Sequence, residues 1–339
     1  MRLIIKLKKI KYPFIFLSCL IGILFCSTLS VLSGNTLREI TVLLEWVPNT
    51  NHTGMYVALE RGFYEEEGLL VNIIQPEEGG AAPFIAAGQG EFGISHQEQM
   101  TYACTADEPL PVVAIAAILQ HNTSGFASPQ NKGIKRPRDF EGKKYGGWGS
   151  PVEEAMIKTL MEIDGADFSK TEIVTIGAID FFAAVSEYVD YTWIYYGWDG
   201  VASEIKKFPI NFIFLQDYAK ELDFYTPVII AREQLLTTEP ELVKRFLRAT
   251  QKGYLFAIES PKIAIQDLLR HAPEIDMEIA IASQEYLANE YQADAPYWGV
   301  MEAQRWKDYA RWLYERGLIP RMLNIDKAFD NSFLPGKEN

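Results

Sequence analysis

The sequence predicts an α/β protein of two lobes around a central cleft, and three observations carry that prediction. From residue 40 onward, short apolar runs alternate with amphipathic stretches, the pattern of strands followed by helices. The series resets at Gly125, and a β-branched run at 225–231 returns to the first block, so one sheet is interrupted by another and then re-entered. The chain has 339 residues and is 48% hydrophobic, enough to close two apolar cores. The expected division is 1–33 as an export segment, 38–124 with 228–335 as one lobe, and 125–227 as the other.

In the first lobe, a strand at 40–46 ends at Trp46 and runs into the polar loop Pro48-Asn49-Thr50-Asn51-His52. A helix over 55–67 stops at Gly68, and a strand follows at 71–75. Gly79-Gly80 breaks the chain before a helix at 81–87, with Gly88 as its C-terminal signal. Strands at 92–95 and 112–119 flank a helix over 97–106. In the second lobe a helical turn at 137–140 precedes a strand at 144–148, which delivers Gly149-Ser150-Pro151. Ser150 is placed to cap the next helix, Pro151 to begin it, and Glu153 and Glu154 to favour its first turn. Strands at 172–176, 191–195 and 211–215 complete the smaller sheet. After Glu239-Pro240, helices occupy 241–259, 261–270, 276–291 and 301–316.

Composition excludes several function classes. With 32 Lys+Arg against 45 Asp+Glu, the net charge of −13 argues against a nucleic-acid partner, which needs clustered cations. Three cysteines build no disulfide framework, and Cys104 is a small, buried apolar residue. The first residues carry Arg2, Lys6, Lys8, Lys9 and Lys11, followed by an apolar run at 14–25 and then Cys26-Ser27-Thr28-Leu29-Ser30. That is a secretory signal. Three fates fit it: a lipid anchor on Cys26, cleavage after Val31-Leu32-Ser33, or an uncleaved helix over 12–33. The lipid anchor is preferred, although the bulky Phe25 stands where lipoprotein signals carry a small residue. Each fate places the body outside the cytoplasm.

Catalytic motifs are missing: His52, His96, His121 and His271 have no metal-ligand spacing, and there is no nucleophile elbow or phosphate-binding loop. Ligands of such two-lobed proteins sit in the cleft, outside the carboxyl ends of strands. There, Trp46, Asn49, Asn51 and His52 crowd one loop. A helix cap would use one of them, not the group. Trp193-Ile194-Tyr195-Tyr196-Gly197-Trp198-Asp199-Gly200 crowds aromatics, an acid and glycines into one turn. The Tyr195-Tyr196 pair breaks strand alternation there. Rigid aromatic faces plus Asp199 suit a flat heteroaromatic ring carrying an amino group. Glu98 after the third strand and Asn122 at the first crossing are further candidates. Residues 148–153 offer a helix N-terminus able to hold negative charge.

These stretches, with Gly93 to Glu98, Gln120 to Gly125, Lys143 to Pro151 and Tyr225-Thr226-Pro227-Val228-Ile229-Ile230, carry a resemblance. The sequence is similar to solute-binding proteins of the thiamine-pyrimidine type, relatives of the fungal pyrimidine-precursor synthases. The resemblance implies a type II periplasmic-binding-protein fold closing around N-formyl-4-amino-5-aminomethyl-2-methylpyrimidine. It also implies delivery to an ABC permease and its ATPase subunit, for thiamine salvage. Its ligand positions fall on Trp46, Asn49, Asn51, Glu98, Asn122, Tyr195, Tyr196 and Asp199. The fungal enzymes consume a lysine-bound pyridoxal phosphate and carry a cysteine-rich run before the return strand. In this chain, residues 217–224 hold no cysteine, and Ser95 and Gln99 stand where the enzymes have lysine and histidine.

The expectation is therefore a monomeric, non-catalytic receptor with no cofactor, tethered to the membrane only through its N-terminus. Trp46 with Tyr195 and Tyr196 would sandwich the ring, Asp199 accept from its amine, and an Asn amide bond a ring nitrogen. The rivals are a binder of another flat solute, such as an aromatic sulfonate or a riboflavin precursor, and an extracytoplasmic pyrimidine-modifying enzyme with Glu98 or Asp199 as base.

Overall fold

Two five-stranded sheets organise the chain in the computed structural model, which describes residues 37–76, 80–177 and 179–336. The export segment, with Cys26, lies outside the described residues. The strands are β1 (Arg38–Leu43), β2 (Leu69–Ile74), β3 (Phe92–Ser95), β4 (Val112–Ala117), β5 (Ser124–Pro129), β6 (Lys144–Gly147), β7 (Glu172–Thr175), β8 (Tyr191–Tyr195), β9 (Ile210–Phe214) and β10 (Val228–Arg232). The helices are α1 (Thr53–Glu60), α2 (Phe63–Glu66), α3 (Ala81–Ala86), α4 (Gln97–Thr105), α5 (Pro151–Ile163), α6 (Phe181–Glu187), α7 (Val201–Ile205), α8 (Glu233–Thr238), α9 (Pro240–Glu259), α10 (Pro261–Leu269), α11 (Met277–Leu287), α12 (Ala303–Glu315) and α13 (Ile325–Ala328). Among the described residues no helix is long and apolar enough to cross a membrane.

The first sheet has the order β2-β1-β3-β10-β4, with β10 antiparallel to both neighbours. The central strand β3 and the edge strand β4 are both buried at every position, as expected of strands covered by helices on both faces. The second sheet runs β7-β6-β8-β5-β9, with β5 antiparallel between β8 and β9. Each sheet thus takes one strand that arrives by a crossing, giving the two lobes. Phe92 stacks on Phe246 of α9 at 3.9 Å in the first core, while Phe126, Phe140, Tyr145 and Tyr191 cluster in the second. Helices α1 and α9 meet at two glycines: a Cβ on Gly253 would overlap the carbonyl of Gly54, and one on Gly54 would enter the ring of Tyr254.

Several boundaries differ from those read in the sequence. The helix expected over 55–67 is two helices, because Gly62 adopts φ +74° and turns the chain between them. The first strand ends at Leu43, before Trp46. The return strand begins at Val228, since Tyr225 and Thr226 bond to the α4 end of the first lobe instead. Strand β5 was not expected. Its sequence, Ser-Gly-Phe-Ala-Ser-Pro, lacks β-branched residues, and pairing on both edges makes it a strand. After β8 the chain makes one π-helical turn, Tyr196–Gly200, where a plain strand-to-helix turn was expected.

Candidate functional site

The parallel strands β1, β3, β6 and β8 end at one side of their sheets, and the residues just beyond them make the site. Glu45 follows β1 with only 6% of its side chain exposed, and His52 is fully buried beside it. His52 Nδ1 accepts the Asn49 N–H at 3.1 Å, so Nε2 carries the proton and donates to the Glu45 carboxylate at 3.0 Å. Burial pushes the Glu45 carboxyl up, but His52 and His96 together pull it lower, and the net direction is down.

After β3, His96 Nδ1 lies 2.8 Å from the hydroxyl of Thr226, a residue of the return crossing. Burial, offset in part by Glu45, lowers the His96 pKa. Glu98 opens α4, and its carboxyl is pushed up to about 7 by burial and by the charge of Glu153 from the opposite lobe. The hydroxyl of Tyr309 on α12 is buried, and burial and then the charge of Glu98 push its ionisation up.

The second lobe contributes Tyr195, Trp148 and Glu153. Tyr195 ends β8 with 37% of its surface exposed. Its hydroxyl is pushed up to about 12, first by burial and then by Glu98 and Glu45, while Thr226 opposes the shift. The charges of one lobe's acids thus act on the other lobe's tyrosine. Trp46 and Trp148, one from each lobe, are both more than half exposed and meet edge to face at 6.3 Å. The indole N–H of Trp193 is buried without a partner, and its ring lies 6.2 Å from that of Tyr195.

Of the residues singled out in the sequence, Trp46, Glu98 and Tyr195 come to this shared space. Asn49 has a different occupation: its side chain accepts from the Asn51 N–H at 2.9 Å and donates to the Val47 carbonyl at 3.0 Å, fixing the loop. Asn51 offers its carbonyl to the Tyr254 hydroxyl at 2.7 Å and keeps its side-chain amide out of that bond. Asn122 is fully buried in the hinge, where it donates to the Leu222 carbonyl at 2.8 Å and accepts from the Ser124 N–H at 2.9 Å. Tyr196 packs against Phe212, Phe214 and Tyr286 and donates to Glu204. Asp199 is pushed up to about 6 by burial and Asp180, with Lys206 opposing, so its charged neighbours are other than those of Glu98.

Sequence reasoning missed Glu45, His96, Thr226 and Tyr309 as site residues, and it took 148–153, with Trp148 and Glu153, only as a helix N-terminus. Glu45 and His96 adjoin residues that were singled out, so their place at a strand end was the available signal. Nothing local marks Tyr309, which reaches the site from α12 more than 200 positions after Glu98. Among the described residues no group of His, Cys, Asp and Glu is arranged to hold a metal ion.

The site combines aromatic faces with carboxylate acceptors and a few unpartnered donors, drawn from both lobes. The chain is 26% identical to the formylaminopyrimidine-binding protein of Halalkalibacterium halodurans, over 93% of this chain and 97% of the relative. It is 25% identical to the 4-amino-5-hydroxymethyl-2-methylpyrimidine phosphate synthase of Legionella pneumophila, over 88% and 92%. The periplasmic aliphatic sulphonate binding protein SsuA of Escherichia coli has the same fold, with a TM-score of 0.64 at 14% identity over 89% of this chain and 95% of that one. This is the two-lobed fold of periplasmic binding proteins. Residues 49–264 match the model of the family described as NMT1/THI5 like, and the chain belongs to that family.

Proposed function

We propose that the chain is an extracytoplasmic receptor that closes around a thiamine-precursor aminopyrimidine and hands it to an ABC permease. The ligand is N-formyl-4-amino-5-aminomethyl-2-methylpyrimidine or a close relative. One observation carries the reading: Tyr195, a part-exposed aromatic of one lobe, feels the charges of Glu98 and Glu45 of the other. An aromatic face beside hydrogen-bond acceptors suits a flat ring with an exocyclic amine. The likeness to a formylaminopyrimidine-binding relative supports the same ligand class. In this reading the ring stacks on Tyr195, the amine donates to Glu98, and Trp46 and Trp148 shut the mouth. The Asn51 amide serves as a further polar contact. The basic and apolar N-terminus exports the monomer and holds it at the outer face of the membrane, through a lipid on Cys26.

A second reading, a pyrimidine synthase, draws on the relative from Legionella pneumophila. Against it, the positions that resemble the fungal enzymes' lysine and histidine are Ser95 and Gln99, bonded to each other at 3.2 Å. Neither offers an amine. Mass spectrometry of small molecules released from the purified full chain tests both readings. The receptor reading expects an intact aminopyrimidine, unchanged after incubation with the protein. A different solute overturns the ligand, and a converted pyrimidine overturns the receptor.

A further inference from the structure

The turn between β6 and α5 has the form of an anion seat. Backbone N–H groups at the start of a helix lack intrahelical partners and favour negative charge. Here α5 runs 13 residues and is preceded by Trp148-Gly149-Ser150 at the mouth of the site. The N–H groups of that turn are not available to a ligand. Trp148 donates to Glu153 Oε1 at 3.1 Å, while Gly149 and Ser150 donate to Oε2 at 3.1 and 3.2 Å. An ordinary capping box uses the glutamate for the N-cap N–H alone. Glu153 takes two further donors from the turn and is 2% exposed. Gly147 makes room for it, because a Cβ there would press on the Glu153 carboxylate and the Tyr145 hydroxyl. Glu98, from the opposite lobe, feels the charge of this carboxylate.

We propose that Glu153 is a specificity determinant: it fills the anion seat from within, so the cleft takes an uncharged or cationic ring and rejects its phosphorylated or sulfonated counterpart. This rests on the aminopyrimidine reading of the cleft. A phosphate monoester entering here would meet two carboxylates and a set of N–H donors already engaged. Such repulsion discriminates between ligands that share a ring.

Calorimetry on the full chain tests it with three probes: 4-amino-5-hydroxymethyl-2-methylpyrimidine, its phosphate monoester and inorganic phosphate. The wild type should bind the free alcohol at least about 100-fold tighter than the ester, and millimolar inorganic phosphate should not compete. Glu153→Ser, which empties the seat, should narrow the ratio at least about tenfold by a gain for the ester. Equal wild-type affinities for alcohol and ester, or competition by inorganic phosphate, would overturn the role of Glu153 while leaving the pyrimidine reading intact. If neither pyrimidine binds the wild type, but Glu153→Ser gains inorganic phosphate at least tenfold, the ligand reading fails and the role of Glu153 stands. No gain for any anion overturns it. The wild-type arms decide the matter even if the variant does not fold.

Discussion

Glu98 and Tyr195 carry the binding account at the scale of single residues. Glu98 has a carboxyl raised from the ordinary 4.5 to about 7. A carboxyl raised on folding binds protons more tightly in the native state, so stability falls as pH rises between those two values. Glu98→Gln should therefore flatten the fall in the ligand-free melting temperature between pH 4.5 and 7, and melt higher than wild type at pH 8. A scanning calorimeter reads this directly, and an unchanged slope would remove Glu98 from the buried acid pair. Tyr195→Ala should weaken pyrimidine binding by about 1–3 kcal/mol, the usual contribution of one stacked ring, with little change in the melting of the empty protein. Unfolding of that variant would make Tyr195 core. Both residues were legible in the sequence because their types conflict with their position: a paired tyrosine breaks strand alternation, and an acid follows a buried strand. Thr226 and Tyr309 were not. Each matters through a partner far away in the chain, and no local pattern records that pairing.

The crossings decide most at the scale of elements. Gln120 donates to the Val300 carbonyl at 3.1 Å, and His121 bridges Asp223 at 2.7 Å and Asp294 at 3.0 Å. The Asn122 backbone N–H donates to Asp223 at 2.9 Å, so its buried amide belongs to a knot of both crossings. Asn122→Ala strands the Leu222 carbonyl and the Ser124 N–H. It should cost about 1–3 kcal/mol of stability by denaturant titration and change pyrimidine affinity by less than about threefold. A loss of affinity without a loss of stability would return Asn122 to the ligand contacts. The sequence predicted Asn122 as a contact because amides at a hinge can serve either end. Elements were most legible where short apolar runs end at loops, as in β3, β6 and β8. The strand β5 and the break at Gly62 depended on tertiary pairing and on one backbone angle, which periodicity does not encode.

Across the whole molecule, the site exists only where the two lobes meet. Trp46 and Trp148 touch across the mouth. On another side the π-helical turn seats on α11, where Ser283 donates to the Gly197 carbonyl and pairs with Thr50 at 2.6 Å. A ligand that touches both lobes binds the closed form better and shifts the population towards it. Small-angle scattering should show a smaller radius of gyration on adding the pyrimidine, and a variant lacking the Trp46 and Trp148 side chains should compact less at the same ligand level. Tight binding without compaction would contradict the clamp.

The identity of the ligand is the central claim, and one titration addresses it. Calorimetry of the full chain with N-formyl-4-amino-5-aminomethyl-2-methylpyrimidine should give one site per chain with sub-micromolar affinity, about −8 kcal/mol or better. No binding at millimolar ligand, on protein freed of any co-purifying solute, would contradict it.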